Sequence, residues 1–326
     1  MWQGCFDTKR PRQADRRKEL SCNKLAWQNL WVIMMLDAVF FDRLSRLRLT
    51  MGHRTSMNLT GNRKSIQKGS SMEFSDFREY MPGDDIRRID WNAYGRLDRL
   101  YVKEYMEEKE AVISILIDTS ASMNYGAKTK SELACMLAVA FSYMGLNNMD
   151  RVMLYDMHRM YLPFVAEGGK RALPRMTAWL EQCSFEGTVD IAQAVRELPV
   201  KGPGVTILIS DFLQEAFLDQ EQETLTKLLR FLDYRKQRTV LLHVLAKEEL
   251  SVELTGTRNL IDMEDQSTLR LTLDAASIRT YEKSLREFTD RMRRECARAG
   301  AFYEVCSTGA DIYQLIFQDL RMLYDI

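Results

Sequence analysis

Proline, glycine and cysteine are scarce in this sequence of 326 residues. The 6 prolines and 16 glycines exclude collagen-like and low-complexity chains. The 6 cysteines include no CxxC pair and are too few for a disulfide framework, which favours a reduced, cytoplasmic protein. A net charge of +0 with 10% aromatic residues argues against a disordered chain. We expect two or three globular domains, or one large domain with an appendage.

Long apolar runs are also absent. The most apolar early run, residues 30–41, contains Asp37 and is about a dozen residues long, whereas a membrane-spanning helix needs roughly 20. No small-residue cleavage site follows it, which argues against a secretory signal. We predict an amphipathic helix packed on the body of the protein and no transmembrane segment.

Positive charge is concentrated at the start of the chain. Residues 1–70 carry 14 Lys and Arg against 5 Asp and Glu, and the rest carry 32 against 41. Residues 1–33 are predicted to be a disordered basic arm, with non-specific contact to nucleic acid or anionic lipid left open as an accessory role. Met34 or Met35 is an alternative start of the natural chain.

The chain divides by pattern into an N-terminal segment, residues 34–110, and a larger domain, residues 111–326. In the segment we predict a helix over residues 35–49, a polar loop over residues 50–72 and a strand pair formed by IRRIDW and RLYVKEY. From residue 111 apolar strands alternate with amphipathic helices. This alternation predicts an α/β fold with a doubly wound, mostly parallel sheet, preceded by a helix and a small β-containing segment.

Oxygen-bearing side chains follow the predicted strands of that sheet. Ligands of doubly wound sheets bind beyond the carboxyl ends of the strands. Two carboxylates and three hydroxyls are placed to meet there: Asp118, Ser120, Ser122, Thr188 and Asp211. Hard oxygen donors with little negative charge suit Mg²⁺ or Mn²⁺ and not zinc. We therefore predict a metal site with one position open to a partner's carboxylate. Two alternatives remain: a structural polar cluster, and for Thr188 a helix cap.

The segments ILIDTSASM, GTVD and ISDF resemble the metal-ion-dependent adhesion site of the von Willebrand factor A-type domain. Upstream, FSDFREYMPGDDIRRIDW is similar to the signature of the domain-of-unknown-function 58 family. The resemblance implies a von Willebrand A-like domain, a metal held by the five residues above, and a MoxR-type AAA+ ATPase as partner. The residues that carry the upstream signature are Asp84, Asp85, Arg87, Asp90 and Trp91.

Two interpretations of the signature segment stay open. Its charges could form a buried ion-pair and turn network that docks the segment on the sheet, or a surface that recognises a partner. No nucleophile, base or ligand cluster is recognisable there, so chemistry is not expected.

Two functions compete for the site at the strand ends. The first is a non-enzymatic module for metal-dependent protein–protein interaction. The alternative is a metal-dependent, phosphatase-like hydrolase, since an Asp and Mg²⁺ at such a rim also occur in phosphatases that use D-x-D. Here the second position is Ser120, which cannot act as a general acid near neutral pH. The chain contains no P-loop motif, so it is not predicted to be an ATPase itself.

Overall fold

The structure, a computed structural model, describes residues 37–49, 72–107, 112–166, 169–200, 202–219, 223–252, 256–264 and 267–325. The predicted basic arm, residues 1–33, lies outside them. The chain forms two compact units, a small one of residues 54–110 and a large one of residues 1–53 and 111–326. The predicted segment of residues 34–110 is thus divided, because its first described residues belong with the large unit.

The first described elements of the large unit are helix α1, Ala38–Leu44, and a short strand β1, Arg48–Leu49. Asp37 caps the helix by accepting a hydrogen bond from the backbone N–H of Phe40 at 2.7 Å. The predicted helix over residues 35–49 was too long. The chain turns at Ser45, whose N–H closes the last helical bonds, and Leu47 and Leu49 are buried beyond it.

The small unit is an antiparallel hairpin of β2, Met72–Glu79, and β3, Tyr101–Glu107. Its connection carries helix α2, Trp91–Leu97, and a 3₁₀ turn, Ile86–Arg88. The predicted pairing of IRRIDW with RLYVKEY was therefore wrong, apart from one isolated bridge between Ile89 and Val102. Capping aspartates draw IRRIDW into helical turns, which the apolar pattern alone did not reveal.

The large unit contains a six-stranded, mostly parallel sheet. Its strands are β4 Val112–Ile117, β5 Arg151–Asp156, β6 Phe164–Ala166, β7 Gly204–Ser210, β8 Gln237–Leu245 and β11 Phe302–Ser307. They lie in the order β11-β8-β7-β4-β5-β6, and only the edge strand β6 runs antiparallel to its neighbour. The mixed α/β class and the mostly parallel sheet were predicted correctly, and the central strands are buried as continuous apolar runs.

Helices cover both faces of this sheet. The longer ones are α3 Lys130–Asn147, α4 Leu173–Leu180, α5 Ile191–Glu197, α7 Thr224–Tyr234 and α9 Ala275–Arg298; α6 Glu215–Leu218 and α8 Lys247–Leu250 are short. Alternate residues of β4 enter different cores, since Ile115 packs with α3 and Leu116 packs with α5, α7 and α9. The sheet therefore separates two hydrophobic cores and presents its strand ends at an open rim.

The C-terminal region supplies a hairpin and a closing segment. The predicted hairpin is confirmed as β9, Gly256–Ile261, paired with β10, Thr268–Leu273. The predicted last helix is broken into α10 Ile312–Gln314, a π-helical turn and a 3₁₀ turn, after which β12, Tyr324–Asp325, pairs with β1. Among the described residues, no helix combines the length and apolar character needed to cross a membrane, and the four cysteines there are free thiols.

Candidate functional site

The carboxyl ends of β4 and β7 lie side by side because these strands are neighbours in the parallel sheet. Asp118 directly follows β4, and its backbone N–H extends the pairing by donating to the Ile209 carbonyl oxygen at 2.9 Å. Asp211 directly follows β7, and both carboxylates are buried. The structure thus brings together the two acidic residues that the strand pattern placed at this rim.

Asp118 is held by hydrogen bonds at both carboxylate oxygens. Oδ1 accepts from the backbone N–H of Ser120 at 2.9 Å, and Oδ2 accepts from the hydroxyl of Ser210. Burial raises the pKa of Asp118, and the neighbouring charge of Asp211 raises it further. The two serines oppose this shift by stabilising the charged form. Two buried carboxylates at one rim create a negative potential that a cation would relieve.

The hydroxyls of Ser120 and Ser122 are hydrogen-bonded to each other. Their oxygens are 3.0 Å apart, and Ser120 precedes a short 3₁₀ turn without using its side chain to cap it. Neighbouring oxygens of an octahedral Mg²⁺ shell with bonds of 2.0–2.1 Å lie about 2.9 Å apart. The hydrogen-bonded spacing of the two hydroxyls is also close to that of two adjacent positions of such a shell, and the predicted metal site stays a prediction.

Thr188 lies on a loop that is tied to this segment by the backbone. Glu186 donates to the Thr119 carbonyl oxygen at 3.0 Å, and Ala121 donates to the Gly187 carbonyl oxygen at 2.9 Å. Thr188 itself is exposed beside these bonds. The N-cap of α5 is Asp190, whose side chain accepts from the backbone N–H of Gln193. The alternative that Thr188 caps this helix was therefore wrong.

Lys130, which sequence analysis did not single out, is a buried cation next to the predicted donors. Its Nζ lies 2.7 Å from Asp211 Oδ2 and 2.8 Å from Glu249 Oε1, and its side chain is only 1% exposed. Burial works against its charge, but the charges of Asp211 and Glu249 outweigh burial and raise its pKa. Lys130 thereby neutralises part of the negative charge at the rim.

Asp156, at the end of β5, is another buried carboxylate at this edge of the sheet. It accepts hydrogen bonds from the Thr119 hydroxyl and from the backbone N–H of His158. The His158 ring in turn lies against Gly187, whose φ of +66° and close contact leave little space for a side chain. Asp156 could have been found from the sequence by the rule that located Asp118, because it also ends a strand.

A cavity of about 720 Å³ opens beside Ser122 and Asp211. Its other walls come from the residues after β8, from the β9–β10 hairpin and from the start of α9. Apolar side chains that line it are Leu213, Val252, Met263, Leu271, Leu273 and Ile278, and acidic ones are Glu248, Glu249, Asp262 and Glu264. The site thus adjoins a half-apolar pocket large enough for a short peptide segment.

The predicted metal ligands include hydroxyl oxygens as well as carboxylate oxygens. Within the ranges that the structure describes, no three His, Cys, Asp or Glu side chains are grouped to hold a metal ion by themselves. This is consistent with the predicted site, which has two carboxylates and relies on Ser120, Ser122 and Thr188 for the rest. A site of this composition favours a weakly held hard cation.

The signature residues serve the turns of the small unit. Asp84 accepts from an Arg78 guanidinium N–H at 2.9 Å and from the Met81 backbone N–H at 2.8 Å, and these bonds lower its pKa. Asp85 caps the 3₁₀ turn, and Asp90 caps α2.

Two signature residues stand apart from this capping network. Arg87 is exposed, and Trp91 is 63% exposed with its ring edge-on to Tyr94. The turn network of the first open interpretation is present, but its aspartates are exposed or half-buried and not buried.

Comparison with known proteins gives one family match. The family described as "Protein of unknown function DUF58" matches residues 76–291. Uncharacterized proteins of Mycobacterium tuberculosis (Rv1480) and Mycobacterium bovis are 28% identical over 180 residues, covering 52% of this chain and 56% of each relative. The chain therefore spans about half the length of these curated relatives.

Two solved structures also resemble the chain. BatB from Bacteroides thetaiotaomicron and an aerotolerance-related membrane protein from Bacteroides fragilis are each 15% identical, covering 65% of this chain and 98% of theirs. The TM-scores are 0.38 and 0.39 respectively.

Proposed function

Because the chain belongs to the DUF58 family, whose description names no activity, we propose its function from the candidate site itself. The protein is a non-enzymatic module for metal-dependent protein–protein interaction, built on a doubly wound, von Willebrand A-like domain. Mg²⁺ or Mn²⁺ is its cofactor, held by Asp118, Ser120, Ser122, Thr188 and Asp211. The remaining coordination position receives a carboxylate from a partner protein in the cytoplasm.

The observation that carries this proposal is the pair of hydroxyls beside two buried carboxylates. The Ser120 and Ser122 hydroxyls, hydrogen-bonded at 3.0 Å, have a spacing that also suits adjacent ligands of an octahedral ion, and both oxygens of Asp118 are oriented by hydrogen bonds. The charge of Asp211 adds to burial in raising the pKa of Asp118, and a divalent ion at this rim would oppose that shift.

The surrounding residues prepare this site for an anionic partner. A bound divalent ion would supply an electrophilic position for a carboxylate oxygen. Lys130 balances the charge of Asp211, and Asp118 is kept rigid by Ser120 and Ser210. Because hydroxyls provide the other ligands, the protein contributes little negative charge, and an incoming carboxylate is still attracted to the site.

The geometry around Asp118 does not favour the phosphatase-like alternative. A nucleophilic carboxylate must present a free oxygen to the substrate. Asp118 is fully buried, and both of its oxygens already accept hydrogen bonds. In our proposal it therefore acts on the ion through a water molecule, and it has no free oxygen with which to attack a substrate. No Asp follows at the second position, where a general acid would be needed, because Ser120 stands there. Binding without turnover is therefore the function that this arrangement supports best.

A MoxR-type AAA+ ATPase is our proposed partner, working with this protein in the maturation or remodelling of other proteins. The support is the resemblance of the signature segment and the strand-end motifs to proteins that act with such ATPases. An acidic residue on the ATPase surface would meet the site. The exposed Trp91 and Arg87 of the small unit are available for additional contacts.

Thermal unfolding in EDTA and in Mg²⁺ tests the metal site. With a dissociation constant near 1 mM, about 10 mM Mg²⁺ should stabilise the native chain by about 1.4 kcal/mol and raise Tm by a few degrees. Ser122→Ala and Asp118→Ala should lose this shift, and the exposed Ser184→Ala should keep it. Equal Tm values of the native chain in EDTA, Mg²⁺ and Mn²⁺ would contradict the proposal.

A further inference from the structure

The cavity beside the candidate metal site has an apolar wall that the protein leaves partly uncovered. Four of its large apolar and aromatic side chains are exposed: Tyr125, Met263, Leu271 and Tyr281. They come from three separate parts of the large unit, the turn before α3, the β9–β10 hairpin and helix α9. Exposed apolar surface that lines one concave site is typical of a place where a partner binds.

The charged side chains of this cavity are mostly acidic. Five carboxylates and two lysines line it: Asp211, Glu248, Glu249, Asp262 and Glu264, with Lys130 and Lys247. Lys130 is engaged by Asp211 and Glu249. The carbon chain of Lys247 lies beside Gly309, where an added Cβ would meet it at 3.2 Å. The other three carboxylates therefore face one lysine, and the cavity keeps a negative potential.

Two of the acidic side chains are available to a cationic ligand. Glu248 is exposed, and its carboxylate accepts from the neutral backbone N–H of Ala127 at 3.3 Å. Glu264 is half-buried, and its backbone is oriented by an N–H that donates to Asp262 Oδ1 at 2.7 Å. Within the part of the chain that the structure describes, no Lys or Arg side chain pairs with Glu248 or Glu264.

Tyr125 and Tyr281 bring aromatic rings to the same negative region. Burial raises the pKa of both phenols, and the charge of Glu249 raises it further, so both stay neutral near pH 7. The faces of neutral aromatic rings attract Lys and Arg side chains, and apolar walls cover the carbon chains of these residues. Carboxylates, rings and apolar side chains together suit a long basic side chain.

We propose that this cavity binds a basic side chain of the partner protein, an arginine or a lysine with apolar neighbours. The inference rests on the proposed function and adds a second point of recognition. Ser122 and Asp211 belong both to the candidate metal site and to the wall of the cavity. One short partner segment therefore supplies the carboxylate at the ion and the basic side chain in the cavity.

Titration of the full chain with two matched peptides tests the proposal. The probes are acetyl-Leu-Arg-Leu-amide and the same peptide with citrulline, which keeps the shape of arginine without its charge. Nuclear magnetic resonance of the peptides, recorded in EDTA, measures binding to the cavity without a metal ion. We expect about tenfold tighter binding of the arginine peptide, the combined effect of a cation–π contact and two exposed ion pairs. Equal affinities, or no saturable binding of the arginine peptide, would overturn the inference.

Variants of the cavity separate recognition of charge from apolar packing. Glu248→Gln combined with Glu264→Gln should reduce the preference for arginine to about twofold or less. Leu271→Ser should weaken both peptides by a similar factor and keep the preference. The control combines Glu197→Gln in α5 with Glu287→Gln in α9, two exposed positions outside the cavity. If this control lowers the preference as much as the cavity variant does, the cavity is not the binding site.

A third peptide, acetyl-Asp-Leu-Arg-Leu-amide, distinguishes this inference from the proposed function. It should bind more tightly in Mg²⁺ than in EDTA, and Ser120→Ala should remove this gain. A preference for arginine without any gain from Mg²⁺ would support the cavity and contradict the metal site. A gain from Mg²⁺ without the preference for arginine would overturn the inference and leave the metal site standing.

The basic residues 1–33 of the chain itself are the competing occupant. In the full chain, Arg16→Gln, Arg17→Gln and Lys18→Gln combined should leave the affinity for the arginine peptide unchanged. Tighter binding of the peptide to this variant would show that the chain's own basic arm fills the cavity. That result would overturn the assignment to a partner.

Discussion

The charge balance of the candidate site depends on Lys130, whose side chain lies between two carboxylates. It joins Asp211, 81 residues away, to Glu249, 119 residues away. Glu249 in turn accepts a hydrogen bond from the backbone N–H of Ala246 at 2.7 Å. This single side chain therefore connects the start of α3, the end of β7 and the start of α8 at the rim.

Replacing Lys130 with Met should destabilise the large unit by about 3–5 kcal/mol, the usual effect of removing one partner from a buried ion pair. The reason is that Asp211 and Glu249 lose their counter-charge while they remain largely buried. Urea unfolding of Lys130→Met measures the change.

The exposed Lys283, which pairs with Glu287 one helical turn away, provides the control. Lys283→Met should change the free energy of unfolding by less than about 1 kcal/mol. A loss in Lys130→Met no larger than in this control would show that the buried pair contributes nothing to stability.

Among individual residues, the sequence pattern located some members of the candidate site and missed others. Asp118 and Asp211 were found because each directly follows an apolar strand, and the carboxyl ends of parallel strands meet at one rim. Lys130 could not be found, since a lysine in the first turn of a helix gives no sign that it will be buried.

Among the elements, α3 packs tightly against β4 and β5 of the sheet. It is buried on nearly all sides, and Gly145 near its end allows it to approach β4 and β5. A Cβ at this position would lie 2.6 Å from Ile113 Cδ1 and 2.9 Å from Val152 Cγ2. Glycine is therefore required here by packing, although it is a poor helix former.

Gly145→Ala should destabilise the protein by about 1–2 kcal/mol, because the overpacking cost exceeds the gain in helix propensity. Gly95 in α2 is the control, since a Cβ added there would meet no other atom within 4 Å. Gly95→Ala should leave stability unchanged or raise it by up to about 1 kcal/mol. Chemical denaturation of both variants tests this, and a stabilised Gly145→Ala would contradict the close packing of α3.

The elements of the small unit explain where prediction from pattern failed. The apolar and charged residues of IRRIDW suggested a strand, but Asp85 and Asp90 each accept backbone N–H bonds that begin helical turns. Capping by aspartate is a local effect that competes with strand pairing. The strand partner of RLYVKEY instead came from residues 72–79, which pattern analysis had not assigned to a strand.

At the level of the whole molecule, the large unit is discontinuous in sequence. The residues that precede the small unit in the sequence belong to the large unit. There β1 pairs with β12, and the Asn147 side chain donates to the Ser45 carbonyl oxygen at 2.7 Å. Phe40 of α1 is fully buried and meets the rings of Tyr313 and Phe317 edge-on. The chain on both sides of the small unit therefore forms one core.

Phe40→Ala should destabilise the large unit by about 3–5 kcal/mol, as expected for removal of a buried aromatic ring. The neighbouring Val39 is 55% exposed, and Val39→Ala should change stability by no more than about 0.5 kcal/mol. Thermal and urea unfolding of both variants measure the difference. Equal stabilities of the two variants would mean that α1 is not part of this core.

The sequence by itself determined most elements of the large unit and the acidic residues that follow its central strands. Strand and helix periodicity is a local property, so it predicted the mixed α/β class, the mostly parallel sheet and the placement of Asp118 and Asp211. The tertiary structure decided which distant residues meet: Lys130 with Asp211 and Glu249, and β1 with β12. These contacts depend on the path of the chain between elements, which periodicity does not encode.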